Sequence, residues 1–109
     1  MIFLSAHETQ GLAYQEALAS GVPVFAWDEG ILTDPDQKPH LPTNSRVSSV
    51  PYFDDQCGVR FQIENYRDNF NTFIKKAQYL KPREYVEKNL SLRSCAGKFM
   101  DIYTNLHNI

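Results

Sequence analysis

Residues 2–26 constrain the fold of this chain more than any other stretch. Ile2-Phe3-Leu4-Ser5 reads as a short buried strand. After it, His7-Glu8-Thr9-Gln10-Gly11 opens a run of good helix formers, Leu12 to Ala19, and Gly21 stands where a C′ glycine closes a helix. Val22-Pro23-Val24-Phe25-Ala26 reads as the next strand, with Pro23 near its start, where a missing N–H is tolerated. Strand–helix–strand units of this kind are right-handed crossovers between parallel strands. The fold class predicted is α/β, a short parallel sheet flanked by helices.

The start of that helix lies at the carboxyl end of the first strand, where open α/β sheets bind ligands. Free backbone N–H groups there attract anions. Glu8 sits just before this anion site and Glu16 about two turns deeper. At roughly 1.5 Å rise per residue, their separation spans on the order of 12 Å, about the reach of an extended sugar nucleotide. A diphosphate would sit on the N–H groups near Gly11, where the missing side chain permits close approach. Carboxylates repel phosphates but accept well from neutral vicinal hydroxyls on either side of them. Glu16 would then hold a ribose and Glu8 a transferred sugar. Taken singly, a glutamate on the second turn of a surface helix is most often merely solvated. The spacing, Gly11, the preceding strand and Gly21-Val22-Pro23-Val24 together favour the site.

These same residues carry a family resemblance. Ser5 to Leu12 and Glu16 to Val24 resemble the E-x7-E region of retaining GT-B glycosyltransferases, most closely family 4, with its usual S-x-x-E-G-F-G-L-x-x-x-E-A-x-A-x-G-x-P-V. Cys57-Gly58-Val59-Arg60-Phe61 matches a later strand more weakly, and residues 92–106 match the C-terminal helix. Thr9 stands where the family has the first glycine of E-G-F-G, and Gln10 where it has the aromatic. The resemblance implies a partial Rossmann-like fold, the C-terminal half of a GT-B donor-binding domain, spanning residues 1–109. It implies a nucleotide-diphosphate sugar as substrate, with no cofactor and no metal. Glu8 would be the catalytic carboxylate, and Glu8, Thr9, Gln10, Gly11, Leu12 and Glu16 the donor-binding set. It further implies that the domain's first strands, an Arg/Lys pair that neutralises the diphosphate and an acceptor-binding domain would precede Ile2. The acceptor, whether sugar, lipid or protein, is left open. A non-catalytic nucleotide-sugar or phosphate-binding module, or a subunit completed by a partner chain, is the alternative. A sugar-nucleotide epimerase of similar architecture fits residues 8–24 less well.

Composition narrows the field further. With 109 residues, 42% apolar and 22% charged, the chain has the make-up of one ordinary small domain. A formal net charge of −2 leaves no basic footprint for nucleic acid. No apolar run is long enough to span a membrane, and Met1-Ile2-Phe3-Leu4 has no cationic signal-peptide start. Cys57 and Cys95 have neither metal spacing nor scaffold density, so free thiols in a cytoplasmic protein are expected, and the Asn89-Leu90-Ser91 sequon carries no weight there. Asp34-Pro35-Asp36 has the letters of a metal-binding D-x-D motif but lies in a proline-rich stretch. Asp54-Asp55 carries no stronger signal. His7, His40 and His107 lack ligand spacing, although His7 stands beside the candidate site. His7-Glu8 is no zinc-protease motif either, because Gly11 occupies the place of the second histidine.

Residues 28–56 show no periodicity and are broken by Pro35, Pro39, Pro42 and Pro51, so a long functional loop is expected. Within it, Asp28-Glu29-Gly30 either approaches a donor or forms a solvated turn, and residues 47–53 add a strand or pack on the sheet. Residues 58–63 alternate like a strand with one buried face. Phe70, Phe73, Ile74 and Ala77 form a predicted buried helical stripe. Pro82 suits the first turn of another helix, and Ser91 an N-cap for the last one, whose apolar face is Leu92, Cys95, Phe99, Ile102, Tyr103 and Leu106. An open sheet edge and that face predict a homo-oligomer or a missing N-terminal partner domain.

Overall fold

The chain was analysed as a computed structural model, which describes residues 1–31, 36, 38–40 and 45–107. Three strands form the sheet: β1 (Ile2–Leu4), β2 (Val24–Trp27) and β3 (Gly58–Phe61). They run parallel in the order β1-β2-β3, with Phe3 opposite Ala26 and Val24 opposite Gly58. Helix α1 (Leu12–Ala19) connects β1 to β2. Helices α2 (Tyr66–Lys76), α3 (Pro82–Asn89) and α4 (Leu92–His107) follow β3, so the carboxyl-terminal part is helical as expected. Among the described residues no helix is long and apolar enough to cross a membrane.

Local sequence accounts for the ends of the helices. Gly21, at φ +83°, closes α1 in a Schellman motif: its N–H donates to Leu18 O at 3.0 Å, and Val22 N–H donates to Ala17 O at 2.9 Å. Pro82 opens α3, where its missing N–H costs nothing. Ser91 caps α4 by accepting from Ser94 N–H at 3.1 Å. Residues 58–63 do not all remain extended. The strand stops at Phe61 because Gln62 and Asn65 form a reciprocal capping pair that turns the chain toward α2.

The sheet has two covered faces. Phe3, Val24 and Ala26 pack on one side with Tyr14 and Leu18 of α1, Tyr85 of α3, Val50 and Cys57. On the other side Phe25 stacks on Phe61 with ring centroids 4.2 Å apart and meets Phe73 of α2 at 5.3 Å. Gly58 is required where β2 and β3 approach, since a Cβ there would lie 1.8 Å from Val24 O.

Two burial expectations are corrected. In β1 only Phe3 is buried, while Ile2 and Leu4 are 60% and 68% exposed. They point to the face that α2 covers only over β3 and Phe25, and β1 lies at the sheet edge beyond it. For the same reason the predicted stripe on α2 is buried only at Phe73, with Phe70 and Ile74 exposed. Within the long connection, Arg46 makes one antiparallel bridge with Ile31, and Ser49 and Val50 are fully buried. Residues 47–53 pack on the sheet and add no strand. Asp34 and Pro35 lie outside the described residues.

Candidate functional site

The expected site residues follow β1 directly. Ser5 Oγ donates toward Glu8 Oε1 and His7 O, each at 3.1 Å, so the Glu8 carboxylate turns back to the end of the strand. The Glu8 N–H donates to Ser48 O at 3.0 Å. Thr9 and Gln10 are exposed, and Gly11 then turns the chain into α1. Gly11 is the N-cap, at φ 76° and ψ 50°, in the left-handed region where L side chains are strained. Its missing Cβ has a definite use. A carbon there would lie 2.1 Å from the Tyr14 ring, which packs against the bare backbone. Sequence reasoning assigned that vacancy to a ligand; the structure gives one side of it to Tyr14.

No side chain caps α1 at its amino end. Gly11 O accepts from Gln15 N–H at 3.2 Å, and the Gln15 side-chain amide donates to Gln10 O. The amides of the first turn, Leu12 and Ala13 foremost, have no intrahelical acceptor and present partial positive charge. Leu12 is 64% exposed beside them. Glu16 lies on α1, is exposed, and makes no side-chain hydrogen bond or ion pair among the described residues. Nearby, His7 Nδ1 is buried without a hydrogen-bond partner.

The carboxyl ends of β2 and β3 carry a second polar group, which ties residues 47–53 to the sheet. Asp28 Oδ2 accepts from Ser48 Oγ at 2.7 Å, and Oδ1 accepts from Ser49 N–H at 3.3 Å. Arg60 Nε lies 3.7 Å from the same carboxylate, while Arg60 Nη2 donates to Phe53 O at 2.9 Å. Ser49 Oγ donates to Trp27 O at 2.6 Å. Glu29 accepts from Trp27 Nε1 at 2.7 Å and Ile63 N–H at 2.8 Å; the Ile63 amide first, then the Trp27 indole, hold its carboxyl below the ordinary value. Asp28 and Glu29 are therefore structural ties, neither free ligand groups nor a simple solvated turn. Sequence reasoning missed Ser48, Ser49 and Arg60, since nothing in an aperiodic stretch signals which strand end it returns to.

Tyr14 joins the two regions. Its hydroxyl donates to Tyr52 O at 3.3 Å and accepts from Tyr52 N–H at 2.9 Å, linking α1 to the return segment. Burial raises its pKa. Below it, burial pushes the Cys57 thiol up to about 11. Both cysteines are free, Cys57 buried and Cys95 exposed.

Glu8 and Glu16 line none of three cavities found elsewhere. One of about 220 Å³ is bounded by Asp28, Arg60, Gln62, Asn65 and Asn69, and one of about 320 Å³ by Asp54, Arg60, Thr72 and Lys76 among others. The third, about 400 Å³, touches the site only through Gln10. Among the described residues no group of three His, Cys, Asp or Glu side chains is placed to hold a metal. Compared with protein-family models, curated proteins and solved structures, the chain gives no significant match.

Proposed function

We propose that this chain is the C-terminal part of the donor-binding domain of a retaining GT-B-type glycosyltransferase, binding a nucleotide-diphosphate sugar for hexosyl transfer to an acceptor hydroxyl. One observation carries the reading: at the carboxyl end of a parallel strand, Glu8 precedes a left-handed Gly11 whose helix begins with uncapped amides, and Glu16 follows on that helix. A diphosphate suits those amides. Exposed Glu16 is free to accept from ribose hydroxyls. Glu8, held by Ser5, would face the hexose. Catalysis would come from stabilising the diphosphate leaving group, with Glu8 orienting the sugar. In this reading the protein works in the cytoplasm, in keeping with its free thiols.

Calorimetry with a panel of nucleoside diphosphates and their hexose esters tests this. Charge-assisted hydrogen bonds contribute roughly 1.5–3 kcal/mol each, so Glu16→Ala should weaken nucleotide binding about tenfold or more. Glu87→Ala, which breaks only an exposed pair with Arg83, should not. Glu8→Gln should lower affinity for the sugar nucleotide and leave the bare diphosphate unaffected. Equal affinity in the Glu16 and Glu87 variants, or equal losses for both ligands with Glu8→Gln, would remove these residues from the site.

A second reading, a non-catalytic binding module or a subunit completed by a partner, is favoured by the engagement of Glu8. Both its carboxylate and its amide are already hydrogen-bonded within the chain. Adding in trans the preceding part of a GT-B protein, with its acceptor-binding domain, first donor-domain strands and Arg/Lys pair, separates the two, because only a split enzyme gains transferase activity.

A further inference from the structure

We infer that α4 is a self-association element and pairs antiparallel with α4 of a second copy. Leu92, Cys95, Phe99, Ile102 and Leu106 recur at alternating steps of three and four, the spacing of a coiled-coil seam. No charged side chain interrupts it. Yet no residue of α4 is buried, and Leu92, Phe99, Ile102, Tyr103 and Leu106 are between 56% and 92% exposed. Cys95, Phe99 and Ile102 line a largely apolar groove of about 400 Å³ together with Tyr52, Tyr85 and Leu90, with Lys98 also at its edge. A helix laid along α4 would enter that groove.

Area identifies the occupant. At about 150–250 Å² for a large side chain roughly two-thirds exposed, covering Phe99, Ile102, Tyr103 and Leu106 on two copies removes roughly 1,000 Å² from water, what a specific interface must clear. A seam that meets itself makes an isologous pair, and each chain supplies what the other lacks. Antiparallel pairing opposes the helix dipoles favourably. It also sets Phe99 against Ile102 and small Cys95 against Leu106, so the gap at Cys95 is filled by a large side chain. Parallel pairing would put Phe99 on Phe99 and leave a gap at Cys95. The groove meets the proposed donor set only at Gln10, and the test involves no ligand.

Sedimentation equilibrium of the full chain at about 100 µM should show a dimer with a Kd on the order of 10 µM. Phe99→Glu and Ile102→Glu should each give monomers with unchanged circular dichroism, since both side chains are exposed in the single chain. A Leu106→Cys variant, oxidised and digested, should yield a cross-link from Cys95 to position 106 of the other copy. A wild-type monomer across the range would overturn the inference. So would a dimer that survives both glutamate variants, or a cross-link joining Cys95 to Cys95.

Discussion

Two glycines in this chain are fixed by their neighbours, Gly58 by the Val24 backbone and Gly11 by Tyr14. At Gly11 the left-handed backbone costs an L residue about 1–2 kcal/mol, and the Tyr14 ring leaves no room for a Cβ. Gly11→Ala should therefore lower stability by about 2 kcal/mol or more in urea titration, apart from any effect on ligand binding. Tyr14→Phe keeps the ring but strands the Tyr52 N–H, and a loss of about 1–2 kcal/mol is expected in the same measurement. Cys57 links stability to pH. Its thiol titrates at about 11 in the folded chain against 9.0 for the ordinary group, so the unfolded chain loses its proton first as pH rises. The contribution is whole below about pH 9 and fades as pH climbs toward about 11, and Cys57→Ala should flatten that part of the profile of denaturation midpoints. Gly11 and Glu16 stood out in the sequence because a motif lies along the chain. The vacancy at Gly11 was misjudged on one side because the occupant, Tyr14, is recognisable only once the helix is wound and placed.

At the level of elements, the turns and caps were legible and the coverage of faces was not. Gly21, Pro82 and Ser91 act on residues within one turn of themselves, so their roles as C′, N1 and N-cap follow from local chemistry. Exposure of Ile2, Leu4 and Ile74 depends on which strands α2 happens to overlie, which no periodicity records. The return segment is the plainest case. Its attachment to Asp28 joins residues twenty or more positions apart, through serines without any pattern. Asp28→Ala should leave the Ser49 N–H and the Arg60 guanidinium without their carboxylate. A loss of about 1–3 kcal/mol is expected, mostly from the stranded Ser49 N–H, since Arg60 is half exposed. Hydrogen exchange should speed up at Ser49 and also at Glu8, whose amide depends on Ser48 O. If Glu8 exchange stays unchanged, the segment is held by Tyr14 and Val50 alone.

Taken whole, the molecule is wide for its mass. Its extents are 50 × 39 × 19 Å with a radius of gyration of 16.1 Å, where about 13 Å is usual for a domain of this length. The accessible surface is 8041 Å². A compact monomer of this mass exposes about 6,200 Å². No residue of α4 is buried, so the apparent melting temperature should rise with protein concentration if pairing covers it, and stay constant in Phe99→Glu. The parallel sheet has another consequence, for the order in which the chain assembles. β2 and β3 cannot pair until the chain from Trp27 to Gly58 has closed on itself, and such closure is entropically slow. The hydrogen bonds within the helices after β3 are local in sequence and need not wait, although the packing of α3 on α1 and of α2 on Phe25 must. During refolding, helical signal should therefore appear before the Phe25–Phe61 contact forms, leaving both apolar sheet faces briefly open to the wrong partner.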